Sequence, residues 1–192
     1  MIYDLIDFSK GSDYLQKKTY LNIDTVIDVN NIIDGEYQNS GVAFHGHFSS
    51  FQYPFSIELV VRKMVDNTID WENLFSFGTH ASYSDDTMTS PMIKLYGYPF
   101  NNSLYLPSYI SDWSDFVKNK HIYTIDVPNE NEFSYYIDND LYLTTNSKIQ
   151  SKYFYIGEAG FRTAYLYSIQ SICLKGKDIY KIYDQNTEQY SY

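Results

Sequence analysis

The sequence predicts an all-β fold, two antiparallel sheets packed face to face, and three observations carry that prediction. First, from His121 to Thr145 three short segments alternate apolar and polar residues with turn chemistry between them. Second, Tyr supplies 22 residues and Phe 12, types that suit half-buried pleated surfaces, while the helix fillers Ala and Leu are sparse. Third, roughly ten such segments are spaced by turns, and a single open sheet of them would leave one apolar face wet.

Taken in order, residues 1 to 39 mix Asp, Asn and Lys with short apolar pieces such as Leu21-Asn22-Ile23 and Val26-Ile27-Asp28-Val29, enough for one or two strands. Val42-Ala43-Phe44 follows Asn39-Ser40-Gly41 and is closed by Gly46. From Phe55 to Val65, the residues Phe55, Ile57, Leu59 and Val61 alternate with Ser56, Glu58, Val60 and Arg62, the pattern of a core strand. Leu74 to Gly78, Met92 to Tyr98 and Leu104-Tyr105-Leu106 continue the series. His121, Tyr123, Ile125 and Val127 share one face until Pro128 stops the strand. Phe133, Tyr135 and Ile137 form the next, Asp138-Asn139-Asp140 tolerates left-handed backbone, and Leu141 and Leu143 begin the return. Tyr153 to Gly157 and Ala164 to Leu174 complete the strands. One short helix is expected, from Lys177 to Tyr183, where Ile179, Ile182 and Tyr183 share a face.

The formal charge of -10, with no local cluster of Lys and Arg, would repel a phosphate backbone, so nucleic acid is excluded as a partner. Cys173 is the single cysteine and lies between Ile172 and Leu174, the setting of a small buried hydrophobe. The first residues lack the basic-then-apolar pattern of a secretory signal, and no run approaches a membrane span, so membrane insertion is not expected.

In order, these pieces resemble the concanavalin A-like, or laminin G-like, jelly-roll superfamily. Gly41-Val42-Ala43-Phe44-His45-Gly46 is similar to the family's opening strand and tight turn, and Pro54-Phe55-Ser56-Ile57-Glu58-Leu59-Val60-Val61-Arg62 to its first long core strand. Asn73 to Gly78, His121 to Ile125 and Tyr135 to Asn139 follow, and Tyr155-Ile156-Gly157 with Tyr167 to Leu174 look like the closing strands. The resemblance implies a jelly-roll domain over residues 41–183, an N-terminal arm with the first strands over 1–40, and a tail over 184–192. In place of the family's usual Phe-Asp-Gly the chain has Phe44-His45-Gly46, and Val60 replaces a tryptophan. No ligand site is therefore carried over.

Relatives of this fold that cleave polysaccharides place carboxylates on alternate positions of one strand. Glu58, Glu72, Glu130, Glu132 and Glu158 stand apart from one another in the sequence, and neither a nucleophile elbow nor a phosphate loop appears, so no catalysis is expected. His45 and His47 stand two apart, which on an extended strand puts both imidazoles on one side, with His80 and Asp85-Asp86 to complete a zinc or copper site. His45-Gly46-His47 also reads as a turn, which leaves no metal expected there. The resemblance implies calcium as a candidate cofactor at loop carboxylates, here Asp85, Asp86, Asp138 and Asp140; the same residues also serve simply to solubilise turns.

The segment from Tyr96 to Trp113 is the candidate ligand-binding site: Tyr96, Tyr98, Asn101, Asn102, Tyr109 and Trp113, with Phe100, Tyr105, Ser103 and Asp112 beside them. Flat rings stack on sugar faces while amides and carboxylates bond hydroxyls, and the same composition suits a protein interface. The expected function is a non-catalytic structural or adhesive component of a bacteriophage particle. Its partners are other virion proteins or a second copy, a host-surface glycan is a further one, and its place is the virion surface. The alternatives are a carbohydrate-binding lectin-like module, extracellular or at a cell surface, and a glycan hydrolase of the same fold.

Overall fold

The computed structural model describes residues 2–39, 43–64, 72–78, 91–96, 102–158 and 167–176. Among these run β1 (Ile2–Asp7), β2 (Leu15–Lys17), β3 (Leu21–Ile23), β4 (Ile32–Ile33), β5 (Glu36–Gln38), β6 (Phe44–Phe48), β7 (Phe55–Lys63) and β8 (Asn73–Phe77). They are followed by β9 (Met92–Lys94), β10 (Ser103–Tyr105), the helical turn α1 (Trp113–Phe116), β11 (His121–Asn129), β12 (Glu132–Ile137), β13 (Asp140–Thr145), β14 (Tyr153–Glu158) and β15 (Tyr167–Lys175). The larger sheet has nine strands, ordered β13-β12-β11-β7-β15-β1-β2 with the β4–β5 hairpin attached to β15. The smaller has six, ordered β10-β9-β8-β14-β6-β3. Pairing is antiparallel apart from β9 with β10. The fold is thus the expected all-β two-sheet sandwich. The helix expected over 177–183 lies outside the described residues, and α1 occupies a stretch read as loop.

The alternation seen in the sequence becomes the inner faces. In β11, Tyr123, Ile125 and Val127 are buried, and they lie across from Leu59, Ile57 and Phe55 of β7. The β12–β13 turn places Asp138 at φ 51 and Asn139 at φ 72, the left-handed pair a tight two-residue hairpin requires. Pro128 does not end β11, which reaches Asn129; the proline sits where the register with β12 slips between Asp126 and Asn129, a place where a missing N–H costs no ladder bond.

Two expectations are corrected. His45-Gly46-His47 is not a turn but the middle of β6, paired with β14 on one side and β3 on the other. Gly46 marks a close approach: a Cβ there would lie 2.2 Å from the Asn22 carbonyl oxygen and 2.8 Å from the Phe154 ring. Residues 1–40, read as an arm with the first strands, were expected to hold one or two of them, whereas residues 2–38 supply β1 to β5, and Ile6, Phe8, Leu21 and Tyr37 are buried in the common core. These strands escape a reading by alternation because most are two or three residues long.

Aromatic side chains fill the space between the sheets. Phe48, Phe75, Phe77 and Phe154 pack ring to ring, and Phe8 stacks on Tyr37 at 5.2 Å. Tyr135, fully buried on β12, crosses the core: its hydroxyl donates to the Asn102 carbonyl at 2.6 Å and accepts from the Met92 amide at 2.8 Å. One phenol thereby pins the β9–β10 edge of the small sheet to the large one. Tyr123 is equally buried, yet its hydroxyl has no hydrogen-bond partner among the described residues.

A second cross-sheet tie is ionic. Glu72, just before β8, is fully buried; its carboxylate accepts from Lys63 Nζ of β7 at 2.7 Å and from the Tyr167 hydroxyl of β15 at 2.6 Å. Its main-chain oxygen accepts the Leu95 and Tyr96 amides at 2.9 and 3.2 Å. Gly157, at φ 74, leaves room for this arrangement, since a Cβ would lie 2.4 Å from the Tyr167 ring. Burial and the facing Glu72 carboxylate both push the Tyr167 phenol well above its ordinary range, so it remains a donor. On the other face of the large sheet, Glu36 of β5 bonds Arg62 at 2.9 Å, Lys120 at 2.8 Å and the Ser168 hydroxyl. Burial alone would raise its pKa, but Lys120, Ser168 and Arg62 together outweigh that and hold it below 4.5.

Four outcomes follow from these contacts. Tyr135→Phe strands two buried backbone groups and should cost about 1–3 kcal/mol in urea unfolding, whereas Tyr123→Phe removes a hydroxyl with no described partner and should be neutral or stabilising. Glu72→Gln removes the carboxylate charge facing a buried ammonium and should cost about 3–5 kcal/mol in the same assay. Because the Glu36 pKa is depressed on folding, its contribution is present above the unfolded value of 4.5 and is lost as pH falls through the lower folded value. The stability gap between wild type and Glu36→Gln, measured by denaturant titration from pH 7 to pH 3, should therefore close with acidification; a constant gap would contradict it.

Candidate functional site

The parallel pairing of β9 and β10 sets their C-terminal ends side by side, and so delivers Tyr96 and the segment from Leu106 onward to one end of the sandwich. That end also holds the last residues of β7, the first of β11 and β15, and the β12–β13 turn, because these strands pair in register there. Glu72, Lys63 and Tyr167 form its buried floor.

Over that floor, the segment from Leu106 to Phe116 crosses between the sheets. Pro107 lies in a single 3-10 turn, Leu106–Ser108, and α1 closes with the Val117 amide bonded to the Trp113 carbonyl at 3.0 Å. Val117 is buried, and its carbonyl accepts the Lys63 amide at 2.7 Å, which ties the segment to β7. Ile110, Trp113 and Phe116 pack against the core. His121 fixes the far side: its ring stacks on Phe116 at 3.6 Å, Nδ1 lies 2.6 Å from an Asp138 oxygen and Nε2 3.1 Å from the Phe116 carbonyl. Both partners only accept, so both bonds are made when the ring carries both protons. Partial burial works to raise the Asp138 pKa, but the Ile122 amide at 2.9 Å and the His121 ring outweigh it and hold the carboxyl below its ordinary value.

The aromatic residues expected to bind ligand divide accordingly. Tyr96 and Tyr109 are 41% and 46% exposed. Tyr109 meets Tyr142 of β13 edge to face at 5.9 Å, a partner that the sequence reading did not include. Trp113 is half-buried and packs against the core. Asn102 is buried, with its carbonyl occupied by Tyr135. Tyr98, Phe100 and Asn101 lie outside the described residues, as do His80, Asp85 and Asp86.

Of the five carboxylates considered for hydrolysis, four sit in separate places, and the Glu158 side chain lies outside the described residues. Glu72 is sealed in the core, Glu58 pairs with Lys175 on the outer face of the large sheet, and Glu130 and Glu132 flank the β11–β12 turn. Of the loop acids considered for calcium, Asp138 is committed to His121 and the Ile122 amide. Among the described residues no three His, Cys, Asp or Glu side chains converge as a metal-binding group.

No protein-family model and no curated protein sequence matches the chain. Solved structures do. The botulinum neurotoxin serotype D binding domain superposes with a TM-score of 0.56 at 10% identity, over 96% of this chain and 51% of that one. Domain 4 of AbnA, an extracellular GH43 arabinanase from Geobacillus stearothermophilus crystallised with arabinotriose, gives 0.50 at 10% identity over 91% and 92%. A sialidase from Trypanosoma rangeli gives 0.52 at 14% identity over 91% and 30%. The chain thus spans about a third of the sialidase and half of the neurotoxin binding domain, and nearly all of the arabinanase domain. At these identities the likeness establishes a shared β-sandwich fold.

Proposed function

We propose that the chain is a non-catalytic carbohydrate-binding module, acting outside the cell or at a surface, with its sugar site at the end of the sandwich that carries Tyr96, Tyr109 and Tyr142. The observation that carries this reading is the Tyr109–Tyr142 pair, part-exposed yet held on a segment anchored to both sheets. An aromatic ring presented on a rigid floor supplies the apolar face a pyranose or furanose ring covers, and its hydroxyl supplies an edge for hydrogen bonding. Binding in place of hydrolysis is supported by the commitment of two acids at this end of the sandwich, Glu72 and Asp138, to structural partners. The named neighbours add support, since one is a toxin binding domain and another a near full-length match crystallised with an arabinose oligosaccharide. They favour this reading over a virus-particle component, whose support stays with composition.

The test is a glycan array followed by calorimetry on the best hit, with arabino-oligosaccharides included. Tyr109→Ala should weaken binding about ten-fold, the loss of roughly 1.4 kcal/mol expected for one stacking ring, and leave the unfolding midpoint nearly unchanged. Trp113→Ala should instead destabilise the fold by on the order of 2 kcal/mol, below the ~3–5 kcal/mol of a fully buried ring. Absence of any glycan retention by the folded wild-type chain, or full retention by Tyr109→Ala, would reject the site.

A further inference from the structure

On a different surface, the outer face of the small sheet, β6 presents His45 and His47 on the same side, since Phe44, Gly46 and Phe48 are the buried positions. Each imidazole is oriented from behind. His47 Nδ1 lies 2.8 Å from an Asp24 carboxylate oxygen, and His45 Nδ1 lies 3.1 Å from the Ala43 carbonyl and 3.1 Å from Thr25 Oγ1. A carboxylate and a carbonyl only accept, so in the neutral rings the proton sits on Nδ1 and the lone pair on Nε2. Neither Nε2 bonds a described residue. Tyr155 lies nearly parallel to His45 at 5.7 Å and Tyr153 beside His47 at 5.7 Å, which restricts both rings to a single face.

We infer that His45 and His47 form a binding site for one late first-row divalent transition ion, copper(II) in first place. Imidazole nitrogen suits these metals, and copper heads their affinity order. A ligating histidine is characteristically held through its other nitrogen by a carboxylate or a backbone carbonyl, the two supports found here for the two rings. Residues two apart on a strand stand about 6.7 Å apart along it, within reach of imidazoles leaning to a common ion at about 2.0–2.1 Å from each Nε2. The remaining coordination positions open to solvent and accept water or an oxygen ligand. Asp24 is a positioning residue that holds His47. The net charge of -10 favours a cation over the surface as a whole.

The experiment adds Cu²⁺ alone to the purified full chain and reads electron paramagnetic resonance, so it is independent of any glycan. The expected spectrum is one bound ion per chain with superhyperfine splitting from two equatorial imidazole nitrogens. His45→Ala and His47→Ala should each lower affinity at least ten-fold. Asp24→Asn should lower it about 10–100-fold with an unchanged unfolding midpoint, as expected for a support behind the ligand. A wild-type spectrum with fewer than two imidazoles, or one that persists in a folded His45→Ala/His47→Ala double variant, would overturn the assignment.

Discussion

Glu72 is the residue on which the end of the sandwich depends. Its main-chain oxygen holds the β9 exit in the small sheet while its carboxylate reaches Lys63 and Tyr167 in the large one. A buried ion pair is weak evidence for stability as such, because desolvating both charges offsets most of their attraction. Its effect here is positional. A carboxylate with two donors at fixed angles permits one relative placement of β7, β15 and β8, where hydrophobic contact alone would accept several. Tyr135 acts similarly at the β9–β10 edge, through a hydroxyl between two backbone groups. The two ties together fix where Tyr96 and Tyr109 emerge.

Tyrosine explains how one residue type can build both the core and a surface. A phenol buries as much ring as phenylalanine but keeps one polar atom, and the cost of burial turns on whether that atom finds a partner. Tyr135 and Tyr167 find theirs across the sheets, while Tyr123 finds none among the described residues. At the rim the same residue presents its ring outward, as Tyr109 does against Tyr142. Composition therefore announces aromatic packing without saying which rings are structural.

The hairpin and meander were legible because their information is local. Alternation set the inner face of β11 and β12, and Asp138-Asn139 set the turn, all within a few residues. Gly46 misled because its cause is remote: the Asn22 carbonyl and the Phe154 ring need the space, and neither is near in sequence. The part played by residues 2–38 was likewise hidden, since β1 joins the sheet through β15 at the other end of the chain. For the site, a tract rich in Tyr and Asn was visible, yet Tyr142 was not, because its approach to Tyr109 depends on where β13 folds back. The Glu72 network was equally out of reach, with Tyr167 lying 95 residues away.

The way the rim is held bears on what it can recognise. A flexible aromatic loop must lose conformational freedom on binding, at roughly 0.5–1.5 kcal/mol for each immobilised side chain. Here much of that ordering is already complete in the fold: Phe116 lies on the His121 ring, His121 is bracketed by Asp138 and the Phe116 carbonyl, and Val117 is bonded to Lys63. The Tyr109–Tyr142 contact rests on this frame, so little further ordering would accompany the arrival of the proposed ligand. Small hydrated ligands such as sugars gain only modestly from each contact, because every hydroxyl leaves water to bind. Low ordering cost is consequently a large share of what such a site can offer, and a frame built from buried ties to both sheets is the form in which a β-sandwich supplies it.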